Sequence, residues 1–206
     1  MFAWKIKTGH FVTDEPEFSY IESVIHAGDN VIDIGASVGV HTLKFSELVG
    51  ASGRIYAFEP VPESFYLLTV HTSLCRYRNV TLLNMAASDK VMIAPMTIPR
   101  SGNGLRNYYR ASRTDSGVAT GRDSVRVLCY PLDSLHFPAR IRLVKIDVEG
   151  HEAAVLSGMR CLVERDKPVL IIESISPEIC EWLSCQGYRR TNLPGSPNTI
   201  FECTDA

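Results

Sequence analysis

The chain has 206 residues, 45% of them hydrophobic and 21% charged, with a formal net charge of −2. That size and apolar content suit one domain, 1–206, with a sizeable core. The near-neutral balance gives no basic field to draw the chain onto nucleic acid or an anionic membrane.

The longest apolar runs, such as PVLII at 168–172, are too short to span a bilayer. The opening MFAWKIKTGHF has no charged stretch followed by an apolar block, so no signal peptide is expected. Six cysteines are scattered without a CxxC pair, which predicts reduced thiols and a cytoplasmic protein.

Along the chain, short apolar runs alternate with amphipathic stretches. Val31–Ile34 predicts a strand. Val38–Val49, with Val38, Leu43, Phe45, Leu48 and Val49 apolar, predicts a helix packed on a sheet. Arg54–Phe58 is a second strand, and Pro62–Tyr77 a helix with proline at its start. Val80–Asn84 is the third strand, Ile141–Ile146 the fourth and Val169–Glu173 the fifth. His151–Val163 and Pro177–Gln186 predict helices, and the segment after Gly187 a terminal hairpin. Strand and helix alternate at βαβ spacing, and the strands are continuous apolar runs. Both features predict a doubly wound α/β fold whose mostly parallel sheet is covered on both faces.

The rhythm breaks between Asn84 and Ile141. VMIAPMTIP and VRVLCYPL predict strands, and no clear helix is present. The segment joining them, about 98–126, is polar and rich in Gly, Ser and Arg. Such an insert is a lid over an acceptor site, a binding loop or a disordered connection.

The run VIDIGASVGVH, at 31–41, places Asp33, Gly35 and Gly39 between a strand and a helix. Ligands of open α/β sheets bind outside the carboxyl ends of the strands, where helix N-terminal amides point. Gly35 lets the chain turn sharply and approach a flat ligand. Gly39 lets the helix press against the strand or the ligand. Ala36 and Ser37 occupy the place where a dinucleotide fingerprint needs its second glycine, which disfavours a dinucleotide, and no G-K-[S/T] of a P-loop occurs. An ordinary βα turn is the plainer alternative. Twenty positions beyond Gly39, Glu59 ends the apolar strand RIYAF and precedes Pro60. A carboxylate there can hold a ribose diol, or simply sit at a strand end. The Asp33–Gly39 spacing resembles motif I of class I S-adenosylmethionine methyltransferases, and that resemblance implies that Asn84, Ala86 and Asp89, after the third strand, stand where the adenine is contacted.

VIDIGASVGVHTLKFSELVGASGRIYAFEPVPESF and IRLVKIDVEGHEAAVL, with KPVLIIE, resemble the FkbM family of S-adenosylmethionine-dependent methyltransferases over about residues 10 to 175. The resemblance implies a class I, Rossmann-like fold and methyl transfer to a hydroxyl oxygen, typically on a sugar or secondary metabolite. The residues that it assigns to the cofactor are Asp33, Gly35, Ala36, Ser37, Gly39, Glu59, Pro60, Asn84, Ala86 and Asp147. DEPEF, at 14–18, is similar to an acidic-proline segment of the family, which implies that Glu15 helps close the cofactor site. Ser37 stands where the family more often has Asn. His41 lines the same pocket or is a satisfied helix-surface histidine.

KIDVEGHE gathers Lys145, Asp147, Glu149, His151 and Glu152 at the end of a strand expected to be central. His151 or Asp147 could take the proton of a hydroxyl. Asp147, Glu149 and His151 could instead hold a divalent metal; the metal-free base is favoured. Glu149 and Glu152 also suit a helix N-terminus. The second histidine of H-E-x-x-H is absent. The expected partner is a small molecule bearing a hydroxyl. A nucleic-acid methyltransferase, using the insert's arginines with Tyr108 and Tyr109, and a non-catalytic cofactor-binding module are the alternatives.

Overall fold

The computed structural model describes residues 16–98, 112–113 and 124–203. Glu15 and most of the 98–126 insert lie outside the described residues.

A short helix, α1 (Phe18–Val24), buries Phe18 and Ile21. It leads into β1 (Asn30–Ile34), α2 (Val40–Val49), β2 (Arg54–Phe58), α3 (Pro62–Ser73) and β3 (Val80–Leu83). The proline that opens α3 has no N–H to lose and a backbone already set for a helix. Next come β4 (Ala86–Ala87), β5 (Met92–Thr97), β6 (Ser112–Arg113) and β7 (Ser124–Tyr130), then a 3₁₀ turn at Leu132–Ser134. The chain continues with β8 (Ile141–Ile146), α4 (Glu152–Ser157), α5 (Arg160–Asp166), β9 (Val169–Ile172), α6 (Pro177–Cys185), β10 (Tyr188–Asn192) and β11 (Thr199–Cys203).

Seven strands form one sheet in the order β10-β11-β9-β8-β1-β2-β3. The five from β9 to β3 run parallel; β11 runs antiparallel to β9, and β10, antiparallel to β11, points the same way as the five. β8 lies at the centre, as its apolar sequence predicts. Val31, Ile32, Leu143, Val144, Leu170 and Ile171 are all fully buried, because helices cover both faces. One face packs on α4, α5 and α6 through Val155, Leu162 and Leu183. The other packs on α1 and α2 through Ile21, Phe45 and Val49.

The expected helix at 151–163 is two helices. A Cβ on Gly158 would lie 1.8 Å from the Ser88 carbonyl oxygen, so the chain breaks where its backbone meets a neighbouring segment. The new N-terminus is capped from outside: Cys161 N–H and Leu162 N–H donate to the Asp133 carboxylate at 3.0 and 2.9 Å.

The two strands read between Asn84 and Ile141 join β4 and β6 in a second sheet, β4-β7-β5-β6. β5 and β7 pair antiparallel from Met92–Cys129 to Thr97–Ser124. Val61, Ala94, Met96, Ile98, Val127 and Cys129 form its own small core. Among the described residues no helix is long and apolar enough to cross a membrane.

Candidate active site

The loop after β1 is held on both sides by backbone. Gly35 N–H and Ala36 N–H donate to Phe58 O at 3.0 and 2.9 Å, and Asp147 N–H donates to Ile34 O at 3.0 Å. Gly35 has φ +81°, and a Cβ there would lie 1.8 Å from Asp147 O. The approach of the backbone just after β8 by itself requires glycine here. Gly39 has φ +98°, and its Cβ would meet Leu68 Cδ1 of α3 at 2.8 Å. A side chain here would press on α3, so the glycine serves helix-to-helix packing. Between them, Ser37 takes a left-handed φ of +50° without being glycine.

Asp33 is fully buried. Its Oδ2 accepts the Thr42 hydroxyl at 2.5 Å, and its Oδ1 is buried with no hydrogen-bond partner among the described residues. Glu59, at the end of β2, joins two loops: Ser37 N–H and Val61 N–H each donate to one carboxylate oxygen at 2.8 Å. Burial pushes its carboxyl up to about 7 against those hydrogen bonds, with the Asp33 and Asp147 charges adding to the rise. Asn84 donates to the Glu59 and Pro60 carbonyls at 2.8 and 3.2 Å, so its amide fixes this corner.

Beside the loop opens a mostly apolar cleft. Gly35, Pro60, Met85 and Ala86 line one part, and Met96, Val127, Cys129, Val148 and His151 the other. The second sheet supplies much of that apolar wall.

At the end of β8, Lys145 is buried to 1% exposure and its Nζ donates to Asp147 Oδ2 at 2.7 Å. Burial acts to raise the Asp147 carboxyl. The Lys145 charge, with hydrogen bonds from Glu173 and Lys145, outweighs it and holds Asp147 below the usual carboxylate range. Glu173, one strand over, is pushed up to about 7 by its hydrogen bond to Asp147 and by burial. The two carboxyls therefore share a proton near neutrality. Glu173 was not singled out in the sequence, although it ends VLIIE as Glu59 ends RIYAF.

Beyond the Lys145–Asp147 pair, the KIDVEGHE side chains go to different places. His151 Nε2 lies 3.0 Å from Ser88 Oγ, at the junction with the second sheet. Glu149 is exposed with φ +52°. Glu152 is buried and accepts Gly150 N–H at 3.1 Å, a helix-start role. Among the described residues no three His, Cys, Asp or Glu side chains form a group able to hold a metal.

A second polar cluster stands across the loop. His41 Nε2 is 3.3 Å from Glu17 Oε1, close enough for charge pairing but without hydrogen-bond alignment. The fully buried Glu17 accepts Ser196 Oγ–H at 3.0 Å and Asn198 Nδ2–H at 2.6 Å. Burial acts to raise its carboxyl; the contact with His41 and the hydrogen bonds hold it lower.

Six strands in one direction with β11 reversed between β10 and β9, wrapped by helices on both faces, make the class I, Rossmann-like methyltransferase fold. Residues 33–190 match the Methyltransferase FkbM domain, and the chain belongs to that family. It is 27% identical over 132 residues to the hexuronic acid methyltransferase AglP of Haloferax volcanii, covering 64% of this chain and 50% of that protein. Among solved structures it is similar to the methyltransferase FkbM from Methylobacillus flagellatus KT, with TM-score 0.59 and 15% identity, over 91% of this chain and 50% of that one. It is also similar to Aeropyrum pernix fibrillarin, solved with natively bound S-adenosyl-L-methionine, with TM-score 0.52 and 13% identity over 89% and 71% of the two chains. The chain spans half or less of the length of the curated relatives that it matches.

Proposed function

We propose that this chain transfers a methyl group from S-adenosylmethionine to a hydroxyl oxygen of a small molecule, with a sugar as the favoured acceptor class. The observation that carries the reading is the convergence at one sheet edge of the Gly35 loop, the Glu59 carboxyl, the Pro60–Ala86 cleft and the Asp147–Glu173 pair. The similarity to a hexuronic acid methyltransferase supports the sugar.

The donor set fits the cofactor. Asp33 Oδ1 is a buried acceptor lacking a partner among the described residues, and suits an ammonium or a bridging water. Each Glu59 oxygen spends one lone-pair site on a backbone amide and keeps another for a ribose hydroxyl. The apolar cleft walls by Pro60, Met85 and Ala86 suit a flat base. Asp147 and Glu173 place negative charge at the carboxyl ends of the two adjacent strands, complementary to a cationic donor.

When bound, S-adenosylmethionine supplies a methyl already activated on a sulfonium. The protein's work is to hold the acceptor oxygen in line and exclude water, and proximity supplies much of the rate. Lys145 fixes the Asp147 carboxylate from within the core, so that carboxylate does not swing on each turnover.

The test is calorimetric titration with S-adenosylmethionine, followed by turnover against hexuronic acids, neutral sugars and hydroxylated metabolites. Saturable 1:1 binding and methylation of at least one hydroxyl are expected. Absence of binding by the folded chain refutes the reading, and methylation confined to nitrogen or to nucleic acid refutes the acceptor class.

A further inference from the structure

We propose that His41, held by Glu17, receives the proton of the acceptor hydroxyl. The inference rests on the proposed methyl transfer and adds the residue that completes its proton balance.

Strand register places the pair at the working edge. Thr199 pairs with Ile172 at the carboxyl end of β9, so the turn carrying Ser196 and Asn198 sits at the same edge as Asp147 and Glu173. That turn grips Glu17 through two hydrogen bonds. His41 is the second residue of α2, directly after the Gly35–Gly39 loop. Its ring is fixed edge-on against Phe18, with centroids 5.1 Å apart, and tilted against Phe45 at 6.1 Å. The side chain is only 14% exposed. A buried carboxylate against one imidazole nitrogen, with aromatic walls fixing the ring, is an arrangement that can orient a histidine as a base.

Charged groups stand around His41 on neighbouring elements. Glu17 faces it from the segment before α1. Lys44, further along α2, is occupied by Glu22 of α1, and Lys145 and Glu173 are both bound to Asp147. An imidazolium formed here faces the Glu17 carboxylate. His151, by contrast, is engaged with Ser88 beside the apolar wall of the second sheet.

The step balances. The acceptor O–H bond breaks and its proton moves to the His41 nitrogen that does not face Glu17. The oxygen's electron pair forms the new O–CH₃ bond. The C–S bond breaks, and its pair returns to sulfur, leaving a neutral thioether. The imidazolium then releases its proton to water.

The experiment compares His41→Gln, His41→Ala, Glu17→Gln and His151→Ala in the full chain, with S-adenosylmethionine affinity and the best acceptor's turnover measured separately. His41→Gln is expected to lower kcat about 100-fold or more while the calorimetric Kd changes less than about threefold. Added imidazole is expected to restore His41→Ala about tenfold and to leave His151→Ala unchanged. Glu17→Gln is expected to lower kcat without a matching rise in Kd. Full kcat in folded His41→Gln, a loss confined to Kd, or rescue at position 151 instead of 41 overturns the inference while leaving methyl transfer in place. A wild-type chain that binds no cofactor overturns the reading beneath it. Should His41→Ala fail to fold, the kcat-against-Kd split of His41→Gln decides alone.

Discussion

Replacing Gly35 by alanine puts one methyl group where the structure has none to spare. The new Cβ would stand 1.8 Å from Asp147 O and 2.9 Å from Asp147 C, both backbone atoms on the central strand's extension. No rotamer change can relieve a collision between two main chains. The φ of +81° adds a conformational cost of about 1–2 kcal/mol for an L-residue. Overpacking against a rigid wall adds about 1–3 kcal/mol. The total of about 2–5 kcal/mol is a large part of a domain stability of about 5–15 kcal/mol. Gly150→Ala is the matched control: its φ is +93°, but nothing lies within 4 Å of its Cβ position. Only the conformational cost applies there, about 1–2 kcal/mol. Urea unfolding followed by fluorescence gives both values from the midpoint at constant slope. A Gly35→Ala loss no larger than that of Gly150→Ala would refute the claim that the Asp147 backbone dictates glycine here.

Gly39→Ala meets the tip of Leu68, a movable side chain, so Leu68→Ala in the same molecule is expected to recover part of the lost stability; strict additivity of the two losses would count against the contact. Glu59, with its carboxyl raised to about 7, binds more protons folded than unfolded between about pH 4.5 and 7. Its stabilising contribution is therefore full below the unfolded value and is lost as pH rises through 7. Relative to Glu59→Gln, the wild type is expected to lose up to about 3 kcal/mol over that window, read from urea midpoints at each pH; parallel curves would contradict it. As pH rises through about 7 the Asp147–Glu173 pair gains a second negative charge, so the wild type is expected to bind S-adenosylmethionine more tightly above that pH. Calorimetry on Glu173→Gln is expected to show that dependence reduced, the remainder belonging to Glu59, and an unchanged dependence would assign the titration elsewhere.

The parallel sheet was legible because β1, β2, β8 and β9 are buried on both faces and so read as unbroken apolar runs. The pairing of β5 and β7 into a separate sheet was not, since register is decided by partners far along the chain. The break between α4 and α5 was hidden for the same reason: nothing in EAAVLSGMRCLVE announces that Ser88 presses on Gly158 or that Asp133 caps the next turn. At Gly35 and Gly39 the sequence correctly marked positions where a side chain is excluded. What excludes it is tertiary, the β8 backbone in one case and Leu68 in the other. In KIDVEGHE, adjacency in sequence suggested one cluster. A left-handed Glu149 followed by Gly150, φ +93°, turns the chain, and His151 leaves for Ser88. Glu17 stood two positions beyond the Glu15 picked from DEPEF, and only the distant Asn198 distinguishes it.

β11 follows both β9 and β10 in the chain, yet it sits between them in the sheet. On a ribosome, β9 emerges with its outer edge unmatched, and α6 and β10 must wait beside it until the later strand arrives to fill the slot. Asn198, just before that strand, then closes on Glu17 across 181 residues of sequence. Until this long loop shuts, the nascent chain displays a ready row of unpaired Leu170–Ile172 backbone groups to any neighbour, so the slot is the place where chaperone contact or strand exchange between copies would begin.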